Sequence, residues 1–288
     1  EIFVALLERL GYTVPLPKTM ENGPFYLAAA RGEVDLWVNG WFPSHTVFLA
    51  QQAVKGKVTP VGFEVVDGAM QGYLVDKRTA DRLNLKHLDD LKAPDVAAVF
   101  DRDGNGKADL IGCNVGWGCE RVIEHHLGAY DLRATVEHVQ GDYSPLLDET
   151  IKRYRQGRPV LFYTWTPNWT VGEMVPGEDV VWLQVPFPSL PVDQADLEQH
   201  SIIDHVPGCP DVPCVMGFPP NDIRAVVNTR FLAHHPDIRR LLESVSIPLA
   251  DISRQNARMI GGENTYADIR RHARQWLALH RQRVDMWL

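Results

Sequence analysis

Three of the eight tryptophans stand where an aromatic face could meet a ligand. Trp41 follows "VNG", Trp165 follows the apolar run "PVLFYT", and Trp117 lies between two glycines in "GCNVGWGCE". Each lies at or just beyond the end of a predicted strand or at a glycine-rich turn. Ligands of open α/β sheets bind beyond the carboxyl ends of strands, so the three indoles could meet in one cleft. Separate packing at three loop ends is the alternative that the residues alone leave open.

A cluster of indole faces is suited to a quaternary ammonium group. Such a group has no proton to donate, and its charge is spread over methyl groups that are easily desolvated. The face of an indole carries the negative end of a quadrupole, and each cation–π contact contributes about 0.5–2 kcal/mol. Three contacts of this kind would give useful affinity without a carboxylate from the protein.

The residues after Trp117 predict a helix that begins at Gly118 and Cys119. The first amides of a helix have no partner within the helix and lie at the positive end of its dipole, where anions bind. A cation-binding face would therefore stand beside anion-binding amides, which suits a small zwitterion. His45 could donate a further hydrogen bond to the anion. Glu120 is interpreted as a first-turn charge favoured by the dipole, and a ligand contact is the alternative.

The segment "DRDGNGKAD" has the composition of a calcium loop, with Gly106 allowing a sharp turn. Its oxygen donors would come from Asp101, Asp103, Asn105, the carbonyl of Lys107, and Asp109. Calcium takes six to eight oxygens in a flexible geometry. The loop departs from an EF-hand because Gly112 stands at position 12 and no helix is predicted before it. We expect a structural Ca²⁺; the alternative is an Asp/Gly/Asn turn without an ion.

The four cysteines form two close pairs, Cys113 with Cys119 and Cys209 with Cys214. Neither pair has the C-x-x-C spacing of redox motifs, and no further cysteine or histidine cluster completes a zinc site. Two local disulfides are the simplest interpretation, which favours an oxidising compartment such as the bacterial periplasm. Four reduced thiols in a cytosolic protein are the alternative.

The composition is that of a globular protein with room for two cores. The chain has 288 residues and a formal net charge of −8, with scattered basic residues. Duplex nucleic acid is excluded as a partner because phosphate binding needs a basic patch. No apolar run approaches the ~18 residues of a membrane span. The first residues read as the middle of a helix, so we expect that the start has been removed by processing or truncation.

Helical and strand-like patterns alternate along the chain, which predicts an α/β architecture with a mainly parallel sheet. A strand is expected after Gly11 and another at residues 95–100, and two long helices, at residues 249–260 and 265–288, are expected to close the chain. The stripe of Ile269, His272, Trp276 and Leu279 on the second of them predicts core packing. Trp37, Trp182 and Trp287 are also expected in the core. His125 and His126 are interpreted as surface residues, and residues 186–220 as a long ordered loop.

The chain resembles the glycine betaine/proline betaine-binding proteins of osmoregulatory ABC importers. The resemblance is densest in "QGYLVDK", "FDRDGNGKADLIGCNVGWGCE", "RPVLFYTWTPNW" and "DVVWLQVPF". It implies a two-lobed, type II periplasmic binding protein fold with the ligand cleft between the lobes. It also implies a tryptophan box and a set of carboxylate contacts. The implied box residues are Trp41, Trp117 and Trp165, and the carboxylate contacts are His45, Gly118 and Cys119.

The expected organisation has residues 1–72 and 215–288 in a first lobe and 73–190 in a second lobe with the calcium loop. Residues 191–214 would form a disulfide-pinned loop. The added Cys209–Cys214 pair departs from the enteric pattern and resembles marine relatives that bind trimethylamine N-oxide. The expected partners are a methylated ammonium ligand and an inner-membrane ABC permease, with the protein acting as a monomer.

Two rival functions remain on the residues alone. One is an enzyme, either a calcium-dependent hydrolase or a thiol oxidoreductase that uses Cys119 at a helix start, where its thiolate would be stabilised. No nucleophile with a nearby base stands in a recognisable motif, which argues against catalysis. The other is a calcium-dependent adhesion module, which would have no affinity for a small ligand.

Overall fold

A computed structural model describes residues 1–288, apart from the side chain of Asp67. The chain divides into two compact units. The first unit contains residues 1–68 and 221–288, and the second contains residues 69–220. Within the described residues, the helices are all too short or too polar to cross a membrane.

In the part of the chain that the structure describes, thirteen α-helices and ten strands make up these units, together with 3₁₀ segments at Leu88–Lys92 and Val192–Ser201. The helices are α1 Ile2–Arg9, α2 Asn22–Arg31, α3 Thr46–Ala50, α4 Lys77–Leu83, α5 Pro94–Phe100, α6 Gly118–Ala129, α7 Tyr143–Arg155, α8 Thr170–Glu173, α9 Thr229–His234, α10 Pro236–Ser244, α11 Leu249–Ile260, α12 Tyr266–Leu279 and α13 Arg281–Trp287. The strands are β1 Leu36–Phe42, β2 Val58–Ala69, β3 Gln71–Asp76, β4 Ala108–Ile111, β5 Val136–Val139, β6 Leu161–Trp165, β7 Val180–Leu183, β8 Ile202–Ile203, β9 Cys214–Val215 and β10 Asn221–Asn228.

The two larger sheets are organised differently. The first unit has the order β1-β10-β2, with β1 antiparallel to β10. The second unit has the order β5-β4-β6-β3-β7, in which β4 is parallel to both β5 and β6 while β3 is antiparallel to β6 and β7. The α/β class is confirmed. The prediction of a mainly parallel sheet holds for the second unit, where β5, β4, β6 and β7 run in one direction and β3 runs opposite to them, but in the first unit β1 and β10 are antiparallel.

The unit boundaries differ from the expected lobes by a few residues. Residues 69–72 belong to the second unit because β3 begins at Gln71 and pairs with β6 and β7. Residues 191–220 also belong there, since β8 pairs with β9 and Val185 N–H donates to the carbonyl of Val215. Sequence patterning cannot reveal such pairings, because they join residues far apart along the chain.

Several predicted elements are wrong. Residues 94–100 form helix α5, with Pro94 at its first position and Ala97 and Phe100 buried one turn apart. A helix therefore does precede the Asp101 loop. The segment after Gly11 has no strand, and the C-terminal helix breaks at His280 into α12 and α13.

The predicted core tryptophans are largely buried, but one member of the predicted C-terminal stripe is not. Trp182 and Trp287 are buried, and Trp37 and Trp276 are partly buried against the apolar clusters of the first unit. Leu279, however, is 83% exposed, because α12 ends there.

His126 is fully buried in the second unit, so its expected surface position is wrong. Its Nε2 donates to the carbonyl of Ser189 (2.9 Å), which leaves Nδ1 to accept from the hydroxyl of Tyr73 (2.7 Å). A Cβ atom at position 217 would lie 2.9 Å from Cε1 of His126, so only glycine fits at this position. Burial lowers the pKa of His126 to about 3. The neutral ring thus ties β3, α6 and the 186–220 segment together.

We predict that His126 makes the protein acid-labile. Below the unfolded pKa of ~6.5, the unfolded chain takes up a proton that the folded ring refuses down to about pH 3. The free energy of unfolding should therefore fall by roughly 1.4 kcal/mol per pH unit through this residue. Denaturant unfolding between pH 7 and 4 should show a shallower pH dependence for His126→Gln. His125→Gln, on the neighbouring half-exposed residue, is the control, and an unchanged slope in His126→Gln would refute the assignment.

Candidate functional site

Trp117 and Trp165 meet at the carboxyl ends of two parallel strands. Trp165 is the last residue of β6, and Trp117 is the N-cap of α6, which follows β4. Their ring centroids are 5.8 Å apart with an interplanar angle of 70°. Both rings are partly buried against the second unit's core. Two of the three predicted indoles thus form an aromatic corner with one edge-to-face contact.

The loop that presents Trp117 is short and fixed at both ends. A disulfide joins Cys113, just after β4, to Cys119 in the first turn of α6. Gly116 has a φ of +86°, which glycine adopts at little cost. The Trp117 N–H donates to the carbonyl of Asn114 at 3.2 Å. The second predicted disulfide, Cys209–Cys214, is also present.

The first turn of α6 directs amides toward the same region. Gly118 and Cys119 are its first two residues, and amides at these positions have no acceptor four residues earlier in the helix. The carboxylate of Glu120 accepts from the N–H of Gly116 (2.5 Å) and from Gln140 Nε2 (3.0 Å). Glu120 therefore braces the Trp117 loop from the first turn.

A third ring, which the sequence analysis missed, stands behind the two indoles. Tyr143 begins α7, after β5, and its ring centroid lies 4.5 Å from that of Trp165 and 6.2 Å from that of Trp117. The rule that selected the tryptophans, aromatic residues after strand ends, also applies to "VEHVQGDY". The strand is hard to recognise in the sequence because β5 has only four residues and two of them are polar.

Trp41 and His45 belong to the first unit. Trp41 lies on β1 opposite Ile223 of β10, and its Nε1 donates to Asn39 Oδ1 at 2.9 Å. His45 is buried, and its ring stacks on Trp37 with centroids 5.6 Å apart. His45 Nδ1 accepts from the backbone N–H of Trp41 at 3.2 Å.

These contacts fix the tautomer of His45. Because Nδ1 accepts from Trp41, the proton resides on Nε2, which lies 3.3 Å from the side-chain amide of Asn22. Nε2–H needs an acceptor, so the Asn22 amide must turn its oxygen to the ring. Burial lowers the pKa of His45 to about 3, so the ring is neutral at physiological pH. His45 positions the backbone of Trp41, and its contact with a ligand anion stays a prediction.

The acidic loop after α5 brings three carboxylates together. One carboxylate oxygen each of Asp101, Asp103 and Asp109 lies within 4.8 Å of the others. Asp101 accepts from the amides of Gly104 (2.7 Å) and Gly106 (2.8 Å). The two other predicted ligands are also placed in this loop.

The side chains of Asn105 and Lys107, the two other predicted ligands, connect the loop to neighbouring residues. Asn105 Oδ1 accepts from the N–H of Lys107 (2.8 Å), and Asn105 Nδ2 donates to Glu137 on β5 (2.7 Å). Lys107 Nζ donates to the carbonyl of Arg133 (2.9 Å). The carbonyl of Lys107 as a metal ligand stays a prediction.

Comparison with known proteins identifies the family. The family described as the substrate binding domain of ABC-type glycine betaine transport systems (OpuAC) matches residues 1–279. The chain belongs to this family. The glycine betaine-binding periplasmic protein OusX of Dickeya dadantii (strain 3937) is 43% identical over 282 residues, covering 98% of this chain and 82% of that protein. The glycine betaine/proline betaine-binding periplasmic protein of Salmonella typhimurium (strain LT2) is 40% identical with the same coverage.

A solved structure shows the same fold as this OpuAC-family chain. The glycine/betaine/L-proline-binding protein ProX from Borrelia burgdorferi matches with a TM-score of 0.72 at 18% identity, covering 100% of this chain and 90% of that one. The predicted type II binding-protein fold, the periplasmic location and the absence of enzymatic function in the family are confirmed. Nothing supports the hydrolase or the oxidoreductase.

The disulfides give a direct check against the thiol oxidoreductase. A thiol titration of the native protein should find no free thiol among the four cysteines, and four after reduction in denaturant. Two reactive thiols at Cys113 and Cys119 in the native protein would contradict this structure and favour the enzyme.

Proposed function

We propose that this OpuAC-family protein captures a methylated ammonium osmolyte in the periplasm. The ligand would be glycine betaine, proline betaine or trimethylamine N-oxide, held by the indole faces of Trp41, Trp117 and Trp165. The loaded protein would act as a monomer and deliver the ligand to an inner-membrane ABC permease, as the family's place in transport systems suggests.

The aromatic corner of Trp117 and Trp165 carries this proposal. Two partly buried indoles at 70° offer a concave apolar surface in which a trimethylammonium group can contact both rings. The group loses little hydration there and gains about 0.5–2 kcal/mol from each ring face. An uncharged apolar ligand would gain only the free energy of burying its apolar surface.

The anionic end of the ligand would be bound by polar groups beside the indoles. The amides of Gly118 and Cys119 at the start of α6 suit a carboxylate. His45 is the predicted third donor, and its Nε2–H would exchange the Asn22 side chain for the ligand anion. Two curated relatives are named as binding proteins for glycine betaine, one of them also for proline betaine. Trimethylamine N-oxide keeps three methyl groups and has a single oxygen, so it would use the same indoles and fewer donors.

Trp117→Ala should weaken ligand binding at least tenfold, because a desolvated cation–π contact contributes about 2 kcal/mol. Calorimetry should compare glycine betaine, proline betaine, choline, carnitine and trimethylamine N-oxide against the wild type and the variant. Trp276→Ala is the matched control, since it removes a partly buried indole from the C-terminal helices of the first unit. A folded Trp117→Ala protein with wild-type affinity for every ligand would refute the indole site.

The Asp101–Asp109 loop would hold a structural calcium ion. Three converging carboxylates, the carbonyl of Lys107 and the amide oxygen of Asn105 offer the hard oxygen ligands that Ca²⁺ takes. Because α5 ends at Phe100 and β4 begins at Ala108, an ion there would fix the connection that leads toward the Trp117 loop.

We predict that Ca²⁺ raises the unfolding temperature, because an ion that binds the folded chain alone stabilises it by about 2.7 kcal/mol at a hundredfold excess over its dissociation constant. Chelation should reverse the shift, and Asp101→Asn/Asp103→Asn should abolish it. Asp81→Asn, on an exposed aspartate paired with Lys77, should leave the shift intact. An equal response of all three proteins to Ca²⁺ would rule out this loop as the site.

A further inference from the structure

We propose that Tyr143 is a positioning residue of the ligand site, which clamps Trp117 and Trp165 at their mutual angle. The inference rests on the proposed function of the two indoles. Tyr143 lies on neither of the segments that carry them, yet its two hydrogen-bonding ends reach both.

The first end of the clamp is the backbone N–H of Tyr143. It donates to Asn114 Oδ1 at 3.0 Å. The carbonyl of the same Asn114 accepts from the N–H of Trp117 at 3.2 Å. Asn114 therefore links the start of α7 to the turn from which the Trp117 indole projects.

The second end is the phenol hydroxyl. It lies 2.8 Å from Thr164 Oγ1 and 3.3 Å from the carbonyl of Tyr163. Thr164 directly precedes Trp165 on β6, and its hydroxyl is 2.5 Å from that of Thr170 at the start of α8. The hydroxyl of Tyr143 thus joins a buried network that fixes the end of the strand carrying Trp165.

The ring between these two ends packs on both indoles, with centroid distances of 4.5 Å to Trp165 and 6.2 Å to Trp117. Tyr143 is only 4% exposed, so a ligand cannot reach it and any effect on binding must pass through the indoles. Burial raises the pKa of Tyr143, so the hydroxyl remains a protonated donor throughout the physiological range.

Such a clamp matters because the two indoles come from different connections. Trp117 follows β4 and Trp165 ends β6, and a small change in either loop would open the corner between them. A cation contacts both ring faces only when the corner keeps its angle, so fixing it before the ligand arrives reduces the ordering cost of binding.

Tyr143→Phe keeps the ring and removes the hydroxyl. It should weaken binding of the tightest ligand of the calorimetric panel by about threefold to tenfold, the effect of losing one buried hydrogen bond. It should also reduce the exciton couplet that the Trp117–Trp165 pair contributes to the circular dichroism of the unliganded protein. The difference spectrum between the wild type and Trp117→Ala defines that couplet.

Tyr154→Phe is the matched control. Tyr154 lies on the same helix, and its hydroxyl donates to Asp179 Oδ1 at 2.7 Å, away from both indoles. Its loss should leave affinity and couplet at wild-type values. Thr164→Val should reproduce Tyr143→Phe, whereas Thr164→Ser, which keeps the hydroxyl, should retain wild-type binding.

The outcomes separate this inference from the function on which it rests. Wild-type affinity in Tyr143→Phe and Thr164→Val would overturn the clamp, as would weaker binding with an unchanged couplet or an equal loss in Tyr154→Phe. If Trp117→Ala itself leaves binding unchanged, the indole site fails. If Trp117→Ala weakens binding and Tyr143→Phe does not, only the clamp fails.

Discussion

The parallel pairing of β4 with β5 on one side and β6 on the other is the constraint on which the site depends. Parallel neighbours end at the same edge of a sheet, so the segments that follow all three strands emerge together. Tyr143 follows β5, Trp117 follows β4, and Trp165 ends β6. Three aromatic rings far apart in the sequence therefore become neighbours.

In each unit, a buried neutral histidine holds a connection in place. His126 joins Tyr73 to Ser189 in the second unit, and His45 fixes the backbone of Trp41 in the first unit. In both, burial keeps the imidazole uncharged at physiological pH. Polar contacts thereby order each of these segments without adding a charge to the interior of its unit.

The sequence was most informative where a residue's role depended on its near neighbours. Trp117 was recognisable from its flanking glycines and cysteines, and Trp165 from the apolar run before it. Tyr143 escaped because the short strand β5 has polar residues at two of its four positions. The strand predicted at residues 95–100 is wrong because a short apolar run does not distinguish a buried strand from a helix. The unit boundaries depended on pairings such as β3 with β6, which have no local signature.

The central claim is that the indoles bind a desolvated positive charge, not merely a shape. Calorimetry with these ligands and with carbon isosteres that lack the positively charged nitrogen tests it most directly: glycine betaine against 3,3-dimethylbutanoate, and trimethylamine N-oxide against tert-butanol. For whichever pair the protein binds, the account predicts that the compound with the positively charged nitrogen binds at least about tenfold more tightly than its carbon isostere. Two or three ring faces would each contribute about 0.5–2 kcal/mol to the binding of a cation. Equal affinity for the charged ligand and its isostere would contradict the account.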